Sequence, residues 1–314
     1  MTPKSKTILL TVISAIVVAI YLFFDLRGSW DYALPRRIAK VTAMILTGGA
    51  IALSTTIFQT ITNNRILTPS IMGLDSLYLL IQTLVVFLVG STTLTMMNNH
   101  IHFLMTIGIM ILFSGVLYKL MFQSGRNVYL LLLIGIIFGT LFQSLSSFMQ
   151  ILIDPNEFQI VQDKMFASFN NINTELLWIA GALILVVILY FLQLAKYLDV
   201  LSLGRDQAVN LGVDYDHVVK HFLVIVAILV SISTALVGPI TFLGLLVVNV
   251  TYELMKTYRH RYLLVGSFLI SIITLVGGQL MVEKVFSFST PLSVIINFVG
   301  GIYFIYLLLK ESRT

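Results

Sequence analysis

Leu201–His221, reading LSLGRDQAVNLGVDYDHVVKH, is a polar, helix-prone cassette set between two long apolar runs. It stands in a chain of 314 residues that is 58% hydrophobic and only 11% charged, with a mean hydropathy of +0.98. A soluble domain carries about 25% charged residues. The sequence around the cassette therefore belongs in lipid, and the cassette itself must face water and a partner.

Working outward, the apolar runs have the length of helices of about twenty residues, not the alternating strands of about ten that a barrel needs. Hydrocarbon satisfies no backbone polar group, so the fold class is all-α, a polytopic bundle in a single domain spanning residues 1–314. Ten spans are expected. They begin near Ile8, Ile38, Ile71, Ile101, Val128 and Leu176 before the cassette, and near Phe222, Ile240, Tyr262 and Leu292 after it. The run Met1–Phe24 is read as a span and not a cleaved leader, because no small-residue cleavage site follows it. Asp154–Glu175 is long enough for a short helix outside the bilayer, and Gly238-Pro239 predicts a tight junction between the seventh and eighth spans.

An even number of spans puts both termini on the cassette's side. With that side cytoplasmic, thirteen of the nineteen Lys and Arg face the cytoplasm, in line with the usual bias of cytoplasmic loops. Four of the remaining six, Arg27, Arg36, Arg37 and Lys40, fall in one outer connection. Such a patch could dock an acidic partner or steer an anionic solute; alternatively Asp25 and Asp31 neutralise it and Lys40 snorkels. The net charge of +5 is a membrane-loop surplus and does not point to nucleic acid.

Chemistry-bearing patterns are sparse. There is no cysteine, which excludes thiolate nucleophiles and Cys-bound metals. HExxH, GxSxG and the nucleotide-binding GxxxxGK[ST] do not occur, so any ATP would be hydrolysed on another subunit. His217 and His221 share a helix face at i, i+4, and His100 and His102 lie in an outer loop. Both pairs read more simply as solvated polar residues than as metal ligands. Asp75 is expected to be the only acid inside a span, set near the start of the third. There the helix dipole favours it and it can reach the cytoplasmic interface.

Four blocks, in order, resemble the iron-chelate (siderophore, haem and cobalamin) permease family of ATP-binding-cassette importers. Thr47–Ser76 carries Gln59, Asn64, Leu67, Pro69, Ile71 and Gly73 at signature positions. LSLGRDQAVNLGV matches the family's coupling segment through Leu203, Gly204, Ala208, Leu211 and Gly212. VGPITFLGLLV contributes Gly238, Pro239 and Gly244, and TPLSVIINFVGGIYF resembles the family ending. Departures include Val248-Asn249 in place of Pro-His, Tyr252 in place of Arg, and Ala33 where an arginine often docks the binding protein.

The resemblance implies a permease subunit that forms a pathway with a second permease, a heterodimer being favoured over a homodimer. Two cytoplasmic ATP-binding subunits would drive it, holding the ATP and Mg that this chain lacks. An extracellular or periplasmic siderophore-binding protein would deliver an iron-siderophore complex to a bacterial plasma or inner membrane. Arg205 and Asp206, with the cassette framework, become candidates for ATPase coupling, and Arg36 and Arg37 for docking the binding protein. A haem or cobalamin permease and an ion-driven secondary transporter are the alternatives.

Overall fold

A computed structural model describes residues 2–24, 30–90, 98–122, 128–170, 172–285 and 290–311. Among them every regular element is helical. In chain order these are α1 (Pro3–Phe23), α2 (Trp30–Thr62), a 3-10 turn (Pro69–Met72), α3 (Leu74–Val89), α4 (Asn99–Phe122), α5 (Val128–Leu152) and α6 (Pro155–Met165). There follow α7 (Thr174–Leu194), a second 3-10 turn (Ala195–Tyr197), α8 (Leu198–Leu201), α9 (Arg205–Asn210), α10 (Tyr215–Val237), α11 (Leu243–Met255), α12 (His260–Lys284) and α13 (Leu292–Glu311).

Eight of these helices are long and apolar enough to cross a membrane. The other two expected spans, α3 and α11, have 16 and 13 residues. At 1.5 Å per residue they reach about 24 Å and about 20 Å, short of a hydrocarbon core of about 30 Å. Ten apolar helices are thus present, but two are truncated at their N-terminal ends. Gly73, at φ 79°, stands just before α3, whereas Gly238, at φ 100°, caps the end of α10, and α11 starts only after the non-helical residues 239–242.

α2 has the opposite deviation. It begins at Trp30, eight residues ahead of the expected Ile38, and runs 33 residues. Arg36 and Arg37 therefore stand on a helix and not in a connection. α2 forms the spine of the bundle, with α10, α11 and α12 packed along it. Small residues permit that approach: a Cβ on Gly48 would lie 2.8 Å from Leu275, and one on Gly244 would collide with Thr55. Close contact of this kind is how helices associate where lipid removes the hydrophobic driving force.

One face gathers the cassette and both ends of the described chain. Lys6 donates to the Leu254 carbonyl at the end of α11 (2.6 Å), and the backbone N–H of His260, starting α12, donates to Asp199 beside the cassette (2.9 Å). α13 starts at the opposite face, where Ser293 donates to the Ala167 carbonyl, and runs back. That opposite face also holds α6, N-capped by Asp154, which is the short helix anticipated between Asp154 and Glu175.

Candidate functional site

The chain leaves α2 at Thr62 near the cassette face, then climbs back into the bundle without helical structure as far as Pro69. Non-helical backbone at membrane depth is tolerated only where protein or water satisfies it. Here side chains do so. The Arg65 carbonyl accepts from Gln59 Nε2 (2.6 Å) and Asn249 Nδ2 (2.9 Å), and the Asn64 side chain accepts from the Ile66 N–H. The Arg65 guanidinium stacks 4.5 Å from the centroid of the Tyr252 ring. Asn249 and Tyr252, two of the departures from the family pattern, thus act together on one residue of the climbing segment.

The climb ends against the middle of α5. Gly73 and Gly135 abut so closely that a Cβ on Gly73 would lie 2.9 Å from the Gly135 carbonyl and 3.0 Å from the Gly139 backbone. Asp75, in the first turn of α3, is consequently at mid-depth, and its carboxylate accepts from Thr241 (3.3 Å) in the α10–α11 junction and from Ser70. This corrects the expectation that Asp75 reaches the cassette-side interface. The two shortened helices start at the same level, and their broken ends meet through Asp75 and Thr241.

Beside this contact lies a cleft of about 480 Å³, lined by Ser70 from the turn, by Gly73, by Ser76 on α3 and by α5. α5 presents Thr140, Gln143, Ser144 and Ser147 to it, at i, i+3, i+4 and i+7. All four are exposed in the single chain. A polar stripe is costly against lipid, so it marks a surface that faces water, a solute or another subunit. The spacing was present in the sequence, but four hydroxyl and amide residues within an apolar run attract little notice beside a charge.

At the cassette face, the helix-prone cassette is divided into the end of α8, α9 and the start of α10 by Gly204 (φ 95°) and Gly212 (φ 83°). Ala208 is fully buried beneath it, while Leu203, Val209 and Leu211 point outward, Leu211 being 63% exposed. Arg205 pairs with Asp216 (3.1 Å), not with its neighbour Asp206, which stays exposed in the first turn of α9. The rings of His217 and His221 lie 4.3 Å apart, tilted by 49°, at the start of α10.

A side-chain linkage leads from this cassette inward. Asp199 on α8 lies 2.6 Å from His260 Nδ1, and His260 Nε2 lies 2.9 Å from Thr60 Oγ1 on α2. Thr60 adjoins Gln59, which holds the climbing segment. His260 is 4% exposed, so the linkage is closed to water along most of its length. Nothing in the sequence singled out either Asp199 or His260.

On the opposite face, Arg37 donates to the carbonyls of Tyr21, Leu22 and Phe24 (2.8–3.2 Å), closing the C-terminal end of α1. Arg36 remains exposed, stacked on Tyr32. Lys40 does not snorkel: it pairs with Glu283 (3.1 Å), which also accepts from Tyr21 and Gln279. Glu283 lies in the last turn of α12, so Asp75 is not the only acid on a spanning helix. Asp25 and Arg27, counted in this patch, lie outside the described residues, as does Arg126. His100 sits in the first turn of α4 and not in a loop, 2.8 Å from Glu175.

A helical bundle with two half-length helices, a mid-depth polar cleft and an exposed cassette has the architecture of a multi-span transport permease. The sequence profile of the FecCD transport family matches residues 7–310, and the chain belongs to that family. It is 66% identical over 312 residues to the petrobactin import system permease protein YclO of Bacillus subtilis (strain 168), covering 99% of each. The petrobactin import permease FatC of Bacillus anthracis is 41% identical over 88% of this chain and 78% of its own length, and FatD of the same organism is 28% identical over 98% and 92%. The fold is that of a solved metal-chelate type ABC transporter in an inward-facing conformation: TM-score 0.84, 23% identity, 98% of this chain and 100% of that one.

Proposed function

We propose that this chain is the transmembrane permease subunit of an ATP-binding-cassette importer for an iron-siderophore complex, with petrobactin as its solute. The observation that carries the reading is the hydroxyl and amide stripe on α5, opening at mid-depth beside a broken helix in a chain of the FecCD family. A bulky polar solute needs such a water-facing wall in a bundle that is otherwise apolar. The similarity to petrobactin permeases supports the choice of solute.

The pathway would be completed by a second permease. Bacillus anthracis has two permeases named for petrobactin import, and both resemble this chain, which favours a heterodimer. Two ATP-binding subunits would dock on the cassette face from the cytoplasm. Leu203, Val209 and Leu211 supply the apolar contact, Arg205 and Asp206 its polar rim, and Gly204 and Gly212 the turns that shape it. Closure of the ATPase dimer on ATP would press on α8 and α9. Asp199 and His260 then carry the displacement to Thr60 on α2, and through Gln59 to the segment that ends at Gly73 and lines the cleft.

A siderophore-binding protein would dock on the opposite face. Arg36 is the free member of the arginine pair and takes that role, while Arg37 orders the end of α1 on which the docking surface rests. Charge reversal of Arg36 should weaken binding-protein affinity and make the residual affinity less dependent on salt, whereas Arg37→Ala should lower the stability of the chain itself.

The decisive experiment is uptake of iron-loaded petrobactin by cells carrying the chain with an ATPase subunit disabled in its nucleotide site. Uptake should fall to background and should persist when only the proton gradient is dissipated. Uptake that survives the disabled ATPase and collapses with the gradient would overturn the reading in favour of an ion-driven carrier. A haem or cobalamin permease would be recognised by competition of those chelates, and not of petrobactin, for the same uptake.

A further inference from the structure

Outside the cleft and the cassette, a groove of about 710 Å³ runs along the lateral surface of the bundle. Its floor is α2 at Gly49 and Leu53, and its walls are α7 at Ile188 and Phe191 and α12 at Leu264 and Val265. Apolar residues dominate it along its length, but at the cassette end Lys196, Asp199 and Arg261 close the mouth. The volume falls within the range of about 300–1,000 Å³ typical of small-ligand sites.

We infer that this groove is a binding site for an anionic phospholipid of the leaflet on the cassette's side. An acyl chain lies over Leu53 between α7 and α12, and the phosphodiester meets Lys196 and Arg261. Two observations fix the chemistry. The two cations sit together at one end, at the depth of a headgroup, and neither has a carboxylate within ion-pair distance among the described residues. The acid at the mouth, Asp199, is turned to His260, which leaves the mouth with a surplus of positive charge. Basic pockets between helices at the membrane surface hold anionic headgroups by this arrangement. Snorkelling would account for a cation at a helix end, but not for an apolar concavity leading up to two of them.

The site has a consequence for coupling, which rests on the function proposed above. The headgroup would stand beside the Asp199–His260 contact through which the cassette reaches α2. A bound anionic lipid would then stiffen that contact, and transport would depend on leaflet composition.

The test uses the full permease complex, purified in mild detergent and exposed to vesicles of equal parts phosphatidylethanolamine and phosphatidylglycerol, with retained lipid counted by native mass spectrometry. Phosphatidylglycerol should be retained preferentially. Lys196→Ala with Arg261→Ala should weaken its retention about thirtyfold, corresponding to about 2 kcal/mol. Val265→Trp, which fills the groove from an exposed wall, should abolish retention of either lipid while leaving the complex monodisperse. Equal retention of the two lipids, or phosphatidylglycerol retention unchanged in the double variant, overturns the proposal. So does a photoreactive residue at Leu192 that crosslinks in membranes to a polypeptide, such as a second copy or a partner subunit, instead of to lipid. Because retention is read without transport, a negative result with siderophore uptake intact removes the lipid site and leaves the permease assignment standing.

Discussion

Gly73 and Gly212 hold nearly the same backbone angle, φ 79° and 83°, in opposite surroundings. A Cβ on Gly73 would meet the backbone of Gly135 and Gly139 at about 3 Å, whereas one on Gly212 would meet nothing within 4 Å. The first belongs to the mid-depth break, where backbone packs on backbone and side chains hold the Arg65 carbonyl and the Ile66 N–H along the climb. The second belongs to the cassette, where the chain turns sharply in order to leave Leu203, Val209 and Leu211 facing outward. The break is built to hold a shape inside the bundle, and the cassette to offer a shape to something outside it. Stability and transport should therefore respond differently to substitutions in the two regions, and the size of the stability change separates them.

The largest loss of stability is expected for Gly73→Ala. A methyl group there pays both the left-handed backbone penalty and an overpacking cost against atoms that cannot move aside, together about 2–5 kcal/mol. Thermal unfolding of the purified chain should show it directly, and siderophore uptake should be lost. Gly212→Ala is the matched control, with only the backbone term of about 1–2 kcal/mol. If the two variants melt together, the distinction between the regions fails.

Next in size is His260→Ala, at the junction of the two regions. It removes the bonds of the imidazole to Thr60 and Asp199, while the Thr60 hydroxyl keeps the Thr56 carbonyl as a partner, and the two lost bonds together cost about 1–3 kcal/mol. The functional signature should exceed the structural one. ATP hydrolysis in the assembled complex should continue, yet no longer be stimulated by the loaded binding protein. His260→Gln, able to bond at both ends, should restore part of that stimulation, and stimulation that stays normal in His260→Ala would show that the linkage transmits nothing.

These two regions were unequally legible in the sequence. The cassette stood out because five charged residues interrupt an apolar chain, and hydropathy located all ten helices. The half-length of α3 and α11 was hidden, because apolar sequence continues through both breaks and composition does not record where a helix starts. Asp75 was placed at an interface for the same reason: a loop that ends at Pro69 reads as lying outside the membrane, whereas the segment climbs. Asp199 and His260 are 61 residues apart and each looks like an ordinary loop residue, so only the packing of α8 on α2 and α12 brings them together. Arg37 looked like an exposed docking cation, because nothing local announces that the last carbonyls of α1 return to it.

A smaller effect is expected at the Arg205–Asp216 pair. Both side chains are about 60% exposed, and exposed ion pairs contribute at most about 1 kcal/mol. Arg205→Asp should lower the melting temperature only slightly. Adding Asp216→Arg should return the isolated chain to its original stability, since the pair is re-formed in reverse. Uptake separates two roles. If the pair only fixes the shape of the cassette, the swapped variant transports normally; if Arg205 itself contacts the ATPase, as proposed, transport stays impaired.

The smallest change in stability and the clearest change in assembly should come from Leu203→Asp with Leu211→Asp. Both side chains are more than half exposed, and an exposed leucine contributes little to the fold, so unfolding of the purified chain should shift by no more than about 0.5 kcal/mol. Against a partner the same carboxylates would be buried without counter-charge, which costs several kcal/mol and is enough to abolish association. Co-purification of the ATPase subunits should therefore disappear from a permease that melts like the wild type. Retained ATPase would mean that the outward leucines are mere surface residues and that the cassette engages its partner through another face. A melting temperature that falls with the association would mean that the cassette is as much a part of the core as the break at Gly73, and that the two regions are not distinct in kind.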